Sequence, residues 1–581
     1  MALLDGYQKL GNVVCVLDAF LRKKHAAFFG ADAIHPFLAL KERKVIHDSV
    51  WGTFSYFWPE LLLLDTPLLQ RLRDIHQVGL AYQVYPSARH SRLEHSLGVL
   101  VMASRLFDAL MERQGGTIRT AIRAVFGVEA GAEVDGRARQ LKGELRLAAL
   151  LHDVGHSVHS HASERVYSKL PMLSEAAGEL SRFVGKKKGV GEVISFCFAL
   201  TPCVRELWGR GRGKLLKPGG VAEVCEVDWE NVALLIVGRS KHPFLQFLGD
   251  IISSDIDADK LDYLLRDSNS AGLPMRYDVD MYLNCAQVEE DILADGDGGL
   301  DDLYRACGSS SLERSESGLR CRCAHYVAYR LKLPKRAMHV VEQIVICKMM
   351  LFSYVYHHPK VRAAEGLLER MLRALVEEQR QGGKDDRAIL EWFLEASDAH
   401  LVGLSSRQPR NGVELGAYRI VNRLLPREVM RFSTSEVTGA PKALLSKFMT
   451  TVRDKERGDE VVRRLEAALA AELVKQRDFA GLEPVQALLK AGAWLDVPKA
   501  PSFEDTQKVI SGCNGSGGDG ETAMFPLGAW QHAYTSYRWY VRIYAYSEYS
   551  RVVRDGAAVA VKAVMGIEDA GFFDRAERKR A

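Results

Sequence analysis

Four short stretches gather side chains that bind metals or move protons, each at a spacing an α-helix can use. In Arg89-His90-Ser91-Arg92-Leu93-Glu94-His95, residues Arg92 and His95 are three apart and can face one cleft if the segment opens a helix. The second stretch places His152, Asp153, His156, His159, His161 and Glu164 within thirteen positions of a chain that has only 17 histidines. The apolar run Leu147 to Leu151 leads straight into His152-Asp153, so that pair stands at the buried end of a helix. Unpaired polar groups are costly there, and a cation would satisfy both. His161 and Glu164 are three apart, which lets a carboxylate orient an imidazole or a water. In the third stretch, Asp255 to Asp267, the residues Asp259, Tyr263 and Asp267 recur every four positions and line one helical face with Lys260 alongside. A carboxylate, a phenol and a second carboxylate on one stripe can hold a metal, a sugar and a phosphate. The fourth, Tyr354-Val355-Tyr356-His357-His358-Pro359-Lys360, supplies an outer wall to the same pocket.

Positioning these groups falls mainly to helices. Val99, Met102, Leu106 and Leu110 share one stripe downstream of His95, and Leu367, Met371 and Leu375 share another, so a mainly α-helical chain is expected. Gly209 to Lys214, Asp295 to Gly299, Gln381 to Asp386 and the Gly/Ser-rich Ser511 to Gly520 are expected to be loops or linkers. Alternation from about Leu319 to Tyr329 and from Tyr537 to Tyr546 predicts strands of small sheets. With 47% hydrophobic and 26% charged residues, the 581-residue chain can bury a large core, which excludes disorder and collagen-like fibres. A formal charge of +4 is too small for bulk polyanion binding, so any anion site must be local. No uninterrupted apolar run approaches the roughly 18 residues of a bilayer span. Asp18 and Arg22-Lys23-Lys24 interrupt the pattern a secretory leader would need. No membrane association and a cytoplasmic location are therefore expected, and ten unevenly spaced cysteines suit a reducing compartment. The expected division is an N-terminal extension over 1–44, a catalytic body over 45–375, and a C-terminal helical and mixed accessory region over 376–581.

Taken in order, His95, His152-Asp153 and Asp259 resemble the H…HD…D signature of the HD-domain metal-dependent phosphohydrolases. More narrowly, Asp65 to Arg73, Arg92 to Val99 and Asp257 to Tyr263 are similar to the deoxynucleoside triphosphate triphosphohydrolase branch. The likeness covers roughly 45–165 and 250–270, and more loosely 340–365. It implies an HD-domain helical fold in which His95, His152, Asp153 and Asp259 hold a divalent metal. Two imidazoles and two carboxylates suit Fe, Mn, Co, Ni or Zn, with Mg accompanying the triphosphate. The implied reaction converts deoxynucleoside triphosphates into deoxynucleoside and tripolyphosphate, with His161 and Glu164 as the acid/base pair and His156 on phosphate. By the same resemblance Arg92 and Lys260 neutralise the triphosphate, Tyr263, Asp267 and Gln77 face the sugar, and Val78 crowds a 2′-hydroxyl. Tyr356 and Lys348 complete the substrate wall. A nucleotide activator and a homo-oligomer are implied as well. Asp65, Gln70 and Arg73 match activator positions, but packing and ion pairing explain them equally well.

Three features depart from the family pattern. Lys186-Lys187-Lys188-Gly189-Val190-Gly191-Glu192 holds no histidine where a further His-Glu pair usually opens a helix. Lys348 stands where an arginine is expected and lacks its planar fork. The 44 residues before the catalytic body are too few for the SAM domain of some relatives. An HD phosphodiesterase or nucleotidase acting on monophosphates, cyclic nucleotides or nucleic-acid ends stays open, as does a catalytically silent module that binds nucleotides or nucleic acid. His90 and His159 are read as solvent-facing or supporting residues, and Lys186 to Lys188 with Arg210 to Lys214 as solvated charge. Trp539, Tyr540, Tyr544 and Tyr546 are read as a packed strand rather than a base-stacking surface.

Overall fold

The computed structural model describes residues 2–566 except 5, 31–42, 130, 216–225, 294–325, 433–439, 452–454, 499–529, 531–533 and 535–539. The breaks expected at Asp295–Gly299 and Ser511–Gly520, and Trp539, lie outside the described residues. The architecture is mainly α-helical with small sheets. The helices that position the site are α1 (Gln8–Lys24), α2 (Arg92–Phe126), α3 (Ala132–Leu151), α4 (His161–Tyr167), α5 (Val190–Leu200), α6 (Ala258–Ser270), α7 (Met338–Leu351), α8 (Pro359–Gln381) and α9 (Asp398–Leu404).

Local sequence fixes where the central helix starts. The Ser91 hydroxyl accepts the Glu94 N–H at 3.3 Å while the Glu94 carboxylate accepts the Ser91 N–H at 3.0 Å. This reciprocal cap contributes about 1 kcal/mol and sets Arg92 and His95 in the first turn of α2. Val99, Met102, Leu106 and Leu110 are fully buried along the expected stripe, and α2 packs extensively on α3. Helix α6 is capped by Asp257, whose carboxylate accepts the Lys260 N–H at 2.8 Å. It lies against α2, where Gly98 is required: a Cβ there would stand 1.9 Å from Asp262 Oδ1.

Strands β1 (Arg43–Asp48) and β2 (Gly52–Phe57) form an antiparallel hairpin, β3 (Gln287–Leu293) pairs antiparallel with β4 (Tyr326–Lys332), and β5 (Arg427–Phe432), β6 (Trp494–Asp496) and β7 (Val541–Ala545) form a sheet ordered β5-β7-β6. The two expected strand regions overlap β4 and β7. Tyr544 is buried in β7, packed as the sequence reading had it.

One apolar core takes in residues from Leu3 to Ile420 together with Trp494 and Tyr544, and a second, around the three-stranded sheet, residues from Met430 to Val561. Leu10, Val13 and Leu17 of α1 are buried in the first core. The stretch Gly209–Lys214 is helical, not a loop: the helix Pro202–Leu215 runs through it. The segment Lys335–Tyr356 is long and apolar enough, by length and composition, to cross a membrane. Glu342 and Lys348 interrupt its apolar sequence, so it holds no uninterrupted run of that length. Val340, Val341, Ile344, Val345 and Leu351 from this segment are buried in the first core.

Candidate active site

His95 reaches the centre from the first turn of α2, and its Nδ1 lies 2.7 Å from Asp262 Oδ2 on α6. Asp262 is fully buried and is itself gripped by Trp51 Nε1 at 2.5 Å, from the β1–β2 turn, and by Arg266 at 2.8 Å. Burial opposes its ionisation, but Arg266 and His95 outweigh it and hold the Asp262 carboxyl well below the usual range. An anionic Asp262 accepts the Nδ1–H of His95, which leaves the Nε2 lone pair facing inward. His152, at the end of α3, is fixed the same way by the Ala149 carbonyl, 2.7 Å from its Nδ1. Both Nε2 atoms are buried without a hydrogen-bond partner among the described residues.

Two carboxylates converge on those lone pairs. Asp153 Oδ2 lies 3.6 Å from His95 Nε2 and 3.5 Å from His152 Nε2, and Asp259 Oδ1 lies 3.0 Å and 4.0 Å from the same atoms. Such separations are the edges of a coordination polyhedron with bonds of about 2.0–2.2 Å. Burial opposes the ionisation of Asp153, yet Arg92, His152 and His156 hold its carboxyl well below the usual range. Burial would lower the His95 imidazole, but Asp259 and Asp262 outweigh it and push it up to about 10, so a cation that takes the Nε2 lone pair displaces a proton there. Charged acids around aligned imidazoles form a cradle that a divalent cation fits.

The cradle opens into a cleft of about 1180 Å³. Gln77, Arg92, His152, Asp153, His156, His161, Glu164, Asp259, Tyr263, Asp267 and Tyr356 line it, so residues predicted from four separate stretches meet in one cavity. His95 lies behind the wall, 1% exposed. Arg92 binds Asp153 through Nη1 and donates from Nε to Ser160 Oγ at 2.8 Å, while its Nη2 is buried with no partner. At the mouth, His161 Nδ1 stands 3.0 Å from Glu164 Oε2, and Glu164 Oε1 accepts the Gly191 N–H at 3.1 Å. Burial opposes Glu164 ionisation, but His161 and His156 outweigh it and hold the carboxyl well below its ordinary value. At the far wall, Asp267 sits between His90 Nε2 at 2.8 Å and the Tyr356 hydroxyl, which donates to it.

Two predicted substrate residues stay out of the cleft lining. Lys260 turns back on its own helix start, donating from Nζ to the Ser254 carbonyl at 2.6 Å and to Asp257 at 2.7 Å. Lys348 is half-buried on α7. The wall receives Lys187 and Lys188 instead. Lys188 is buried, not solvated, with Nζ 3.0 Å from Glu192 Oε1 and 3.3 Å from Ser253 Oγ, so a Lys-Glu pair occupies the wall where a His-Glu pair was expected. His90 and His159 are likewise buried, and His90 acts as a support for Asp267. Gln70 and Arg73 bond each other at 2.6 Å on the surface.

Asp262 received no role from sequence, although a carboxylate on the same face as Leu261, Leu265 and Arg266 was a visible signal. Asp398 carried none: it enters the region from 239 residues beyond His159.

The HD domain family matches residues 92–190. An uncharacterised protein of Methanocaldococcus jannaschii is 26% identical over 363 residues, 62% of this chain and 56% of that protein. The deoxynucleoside triphosphate triphosphohydrolase SAMHD1 of Bos taurus is 29% identical over 256 residues, 42% of this chain and 39% of that one. The SAMHD1 homologue of Dictyostelium discoideum is 27% identical over 256 residues, 43% of this chain and 41% of that one. The matched stretches thus span about half the length of these relatives or less.

Proposed function

We propose that this chain, whose residues 92–190 match the HD domain family, is a metal-dependent phosphohydrolase that converts deoxynucleoside triphosphates to deoxynucleoside and tripolyphosphate. The observation that carries the reading is the convergence of two imidazoles, each with Nδ1 committed to an outer acceptor, on Asp153 and Asp259 at the floor of a cleft with an acid/base pair at its mouth. Likeness to proteins named deoxynucleoside triphosphate triphosphohydrolases supports the substrate class.

His95, His152, Asp153 and Asp259 would hold the divalent cation, which supplies polarisation of a phosphoryl oxygen and neutralises charge that develops in the displacement. Water adds to the α-phosphorus and the bond from it to O5′ breaks. His161, polarised by ionised Glu164, passes its proton to O5′ while the attacking water gives up a proton to solvent, from which His161 is reprotonated, so the deoxynucleoside leaves neutral and the three phosphates leave together. Arg92, with Nη2 unpaired, and His156 bind phosphate oxygens, and Lys187 and Lys188 take over the charge neutralisation expected of Lys260. Gln77, Tyr263 and Asp267 orient the sugar, and Asp267 accepts its 3′-hydroxyl. Val78 in the same wall leaves little room for a 2′-hydroxyl. A nucleotide activator, assembly into a homo-oligomer and a cytoplasmic location belong to the same reading.

The Lys188–Glu192 pair favours one competitor. A wall that differs from the triphosphohydrolase pattern at the phosphate side could serve a phosphodiesterase or nucleotidase. Incubation with each of the four deoxynucleoside triphosphates, with and without GTP and with Mn or Mg, separates them by phosphorus product. Tripolyphosphate, lost in Asp153→Ala, is the expected outcome. Pyrophosphate or orthophosphate assigns the competitor, and no product assigns a silent binding module.

A further inference from the structure

Beyond the cleft, His76, His159 and Asp398 form a second group whose ligand atoms all lie within 4.8 Å of one another. The carboxylate of Asp398, at the start of α9, is fixed from two sides. Its Oδ2 accepts the backbone N–H of His76 at 2.9 Å and its Oδ1 the backbone N–H of His159 at 2.6 Å. The two imidazoles flank it nearly parallel, 7° apart with centroids 6.3 Å from each other. His76 Nδ1 contacts Asp398 Oδ2 directly. His159 Nδ1 stands 3.2 Å from that same oxygen, yet neither ring nitrogen of His159 has an aligned hydrogen-bond partner although the side chain is 1% exposed.

A proton shared between His76 and Asp398 satisfies His76, but His159 Nδ1 has only an off-axis contact with the same carboxylate and its Nε2 is buried with no hydrogen-bond partner among the described residues, which is costly. A cation between His159 Nδ1 and Asp398 Oδ2 removes the Nδ1 part of that cost, and 3.2 Å is close to the edge joining two ligands of a tetrahedral ion with bonds of about 2.0 Å. We infer that His76, His159 and Asp398 bind a second divalent cation, of the zinc, cobalt or nickel type, that clips α9 to the turn opening α4. Two nitrogens and one carboxylate oxygen make a borderline donor set and leave a fourth position for water.

The clipped turn is one that needs holding. His159 and Ser160 both have positive φ, 50° and 58°, which residues other than glycine adopt only when their surroundings impose it. Ser160 links the clip to the cleft: its hydroxyl donates to the His76 carbonyl at 2.6 Å and accepts from Arg92 Nε at 2.8 Å. The second ion positions Arg92 through Ser160 and touches no substrate, so the inference stands apart from the proposed reaction.

The test is metal content of the full chain after saturation with zinc and removal of free ion, measured by plasma mass spectrometry. About two ions per chain are expected in the wild type, about one in Asp398→Asn and in His159→Phe, and about one in Asp153→Ala. His76→Gln, at a half-exposed position, gives the same readout if either buried variant fails to fold, with near-ultraviolet circular dichroism reporting the fold. A wild type that never holds more than one ion, or an Asp398→Asn chain with wild-type content, overturns the second site. An Asp153→Ala chain that keeps both ions overturns the quartet and leaves the second site standing.

Discussion

The quartet and the His76–His159–Asp398 group are built from the same side chains, aligned in opposite ways. At the quartet the imidazoles are aimed from outside, His95 by Asp262 and His152 by the Ala149 carbonyl, and the carboxylates are left to converge on the exposed lone pairs. At the second group the carboxylate is aimed, by two backbone N–H groups, and the imidazole of His159 has no outer acceptor among the described residues. Outer acceptors fix the tautomer and raise the basicity of a ligating imidazole. The comparison therefore predicts a ranking: the quartet should bind its ion more tightly, and the second group should give up its ion first to a chelator.

The largest effect expected along this comparison comes from Asp153→Ala. Turnover should fall roughly 10³-fold or more, since several kilocalories per mole of charge stabilisation vanish with the quartet's ion. Single-turnover rates alongside metal content check it, and the ion at the second group should remain. His161→Ala should slow turnover about 10²–10⁴-fold with both ions retained. If metal is lost as well, the division between holding the ion and moving the proton is wrong.

Asp262→Asn tests the outer acceptor directly. Affinity of the quartet for its ion should weaken about 10–100-fold in competition with a chelator, with no change at the second group. Unaltered affinity would break the comparison at its root. Ser160→Ala should raise KM for the nucleotide several-fold, on the order of 1 kcal/mol, because Arg92 loses the bond that positions it, while kcat changes little.

The smallest effect on activity, none, is expected from Glu144→Gln, remote from both groups. Burial pushes the Glu144 carboxyl up to about 7, against hydrogen bonds from Asn231, Asp228 and Gln140 that favour its charge. The folded chain thus holds this proton more tightly than the unfolded chain. Its stabilising contribution is full below the ordinary value of 4.5 and is lost as pH rises through about 7. Melting temperatures between pH 5 and 8 should fall more steeply for the wild type than for Glu144→Gln, and parallel slopes would remove Glu144 from the titration.

The metal-capable stretches were legible because their chemistry is local, whereas joining His95, His152, Asp153 and Asp259 into one ligand set came from the resemblance to the HD-domain signature. His152-Asp153 ends an apolar run, His161 and Glu164 are one helical turn apart, and Asp259, Tyr263 and Asp267 recur every four residues, so each stretch announces a face before the fold is known. Lys260 shows the limit of that logic. Its position beside Asp259 suggested a phosphate contact, but the capping carboxylate Asp257 and the Ser254 carbonyl lie closer and take the ammonium. Lys188 misled in the other direction: a run of three lysines reads as solvated charge, and only the packing of α5 brings one of them into the cleft wall beside Glu192 and Ser253. Asp398 illustrates the same thing over a longer distance.

By itself, then, the sequence determined the helical class, the order of the metal-capable residues and the faces they share, since periodicity and spacing act within one helix turn. Only the tertiary structure decided which nitrogen of each imidazole looks inward, which lysine reaches the cleft, and that a carboxylate from α9 closes on His76 and His159. Those outcomes depend on burial and on partners hundreds of residues apart, and the free energy that selects them belongs to the packed chain rather than to any segment of it.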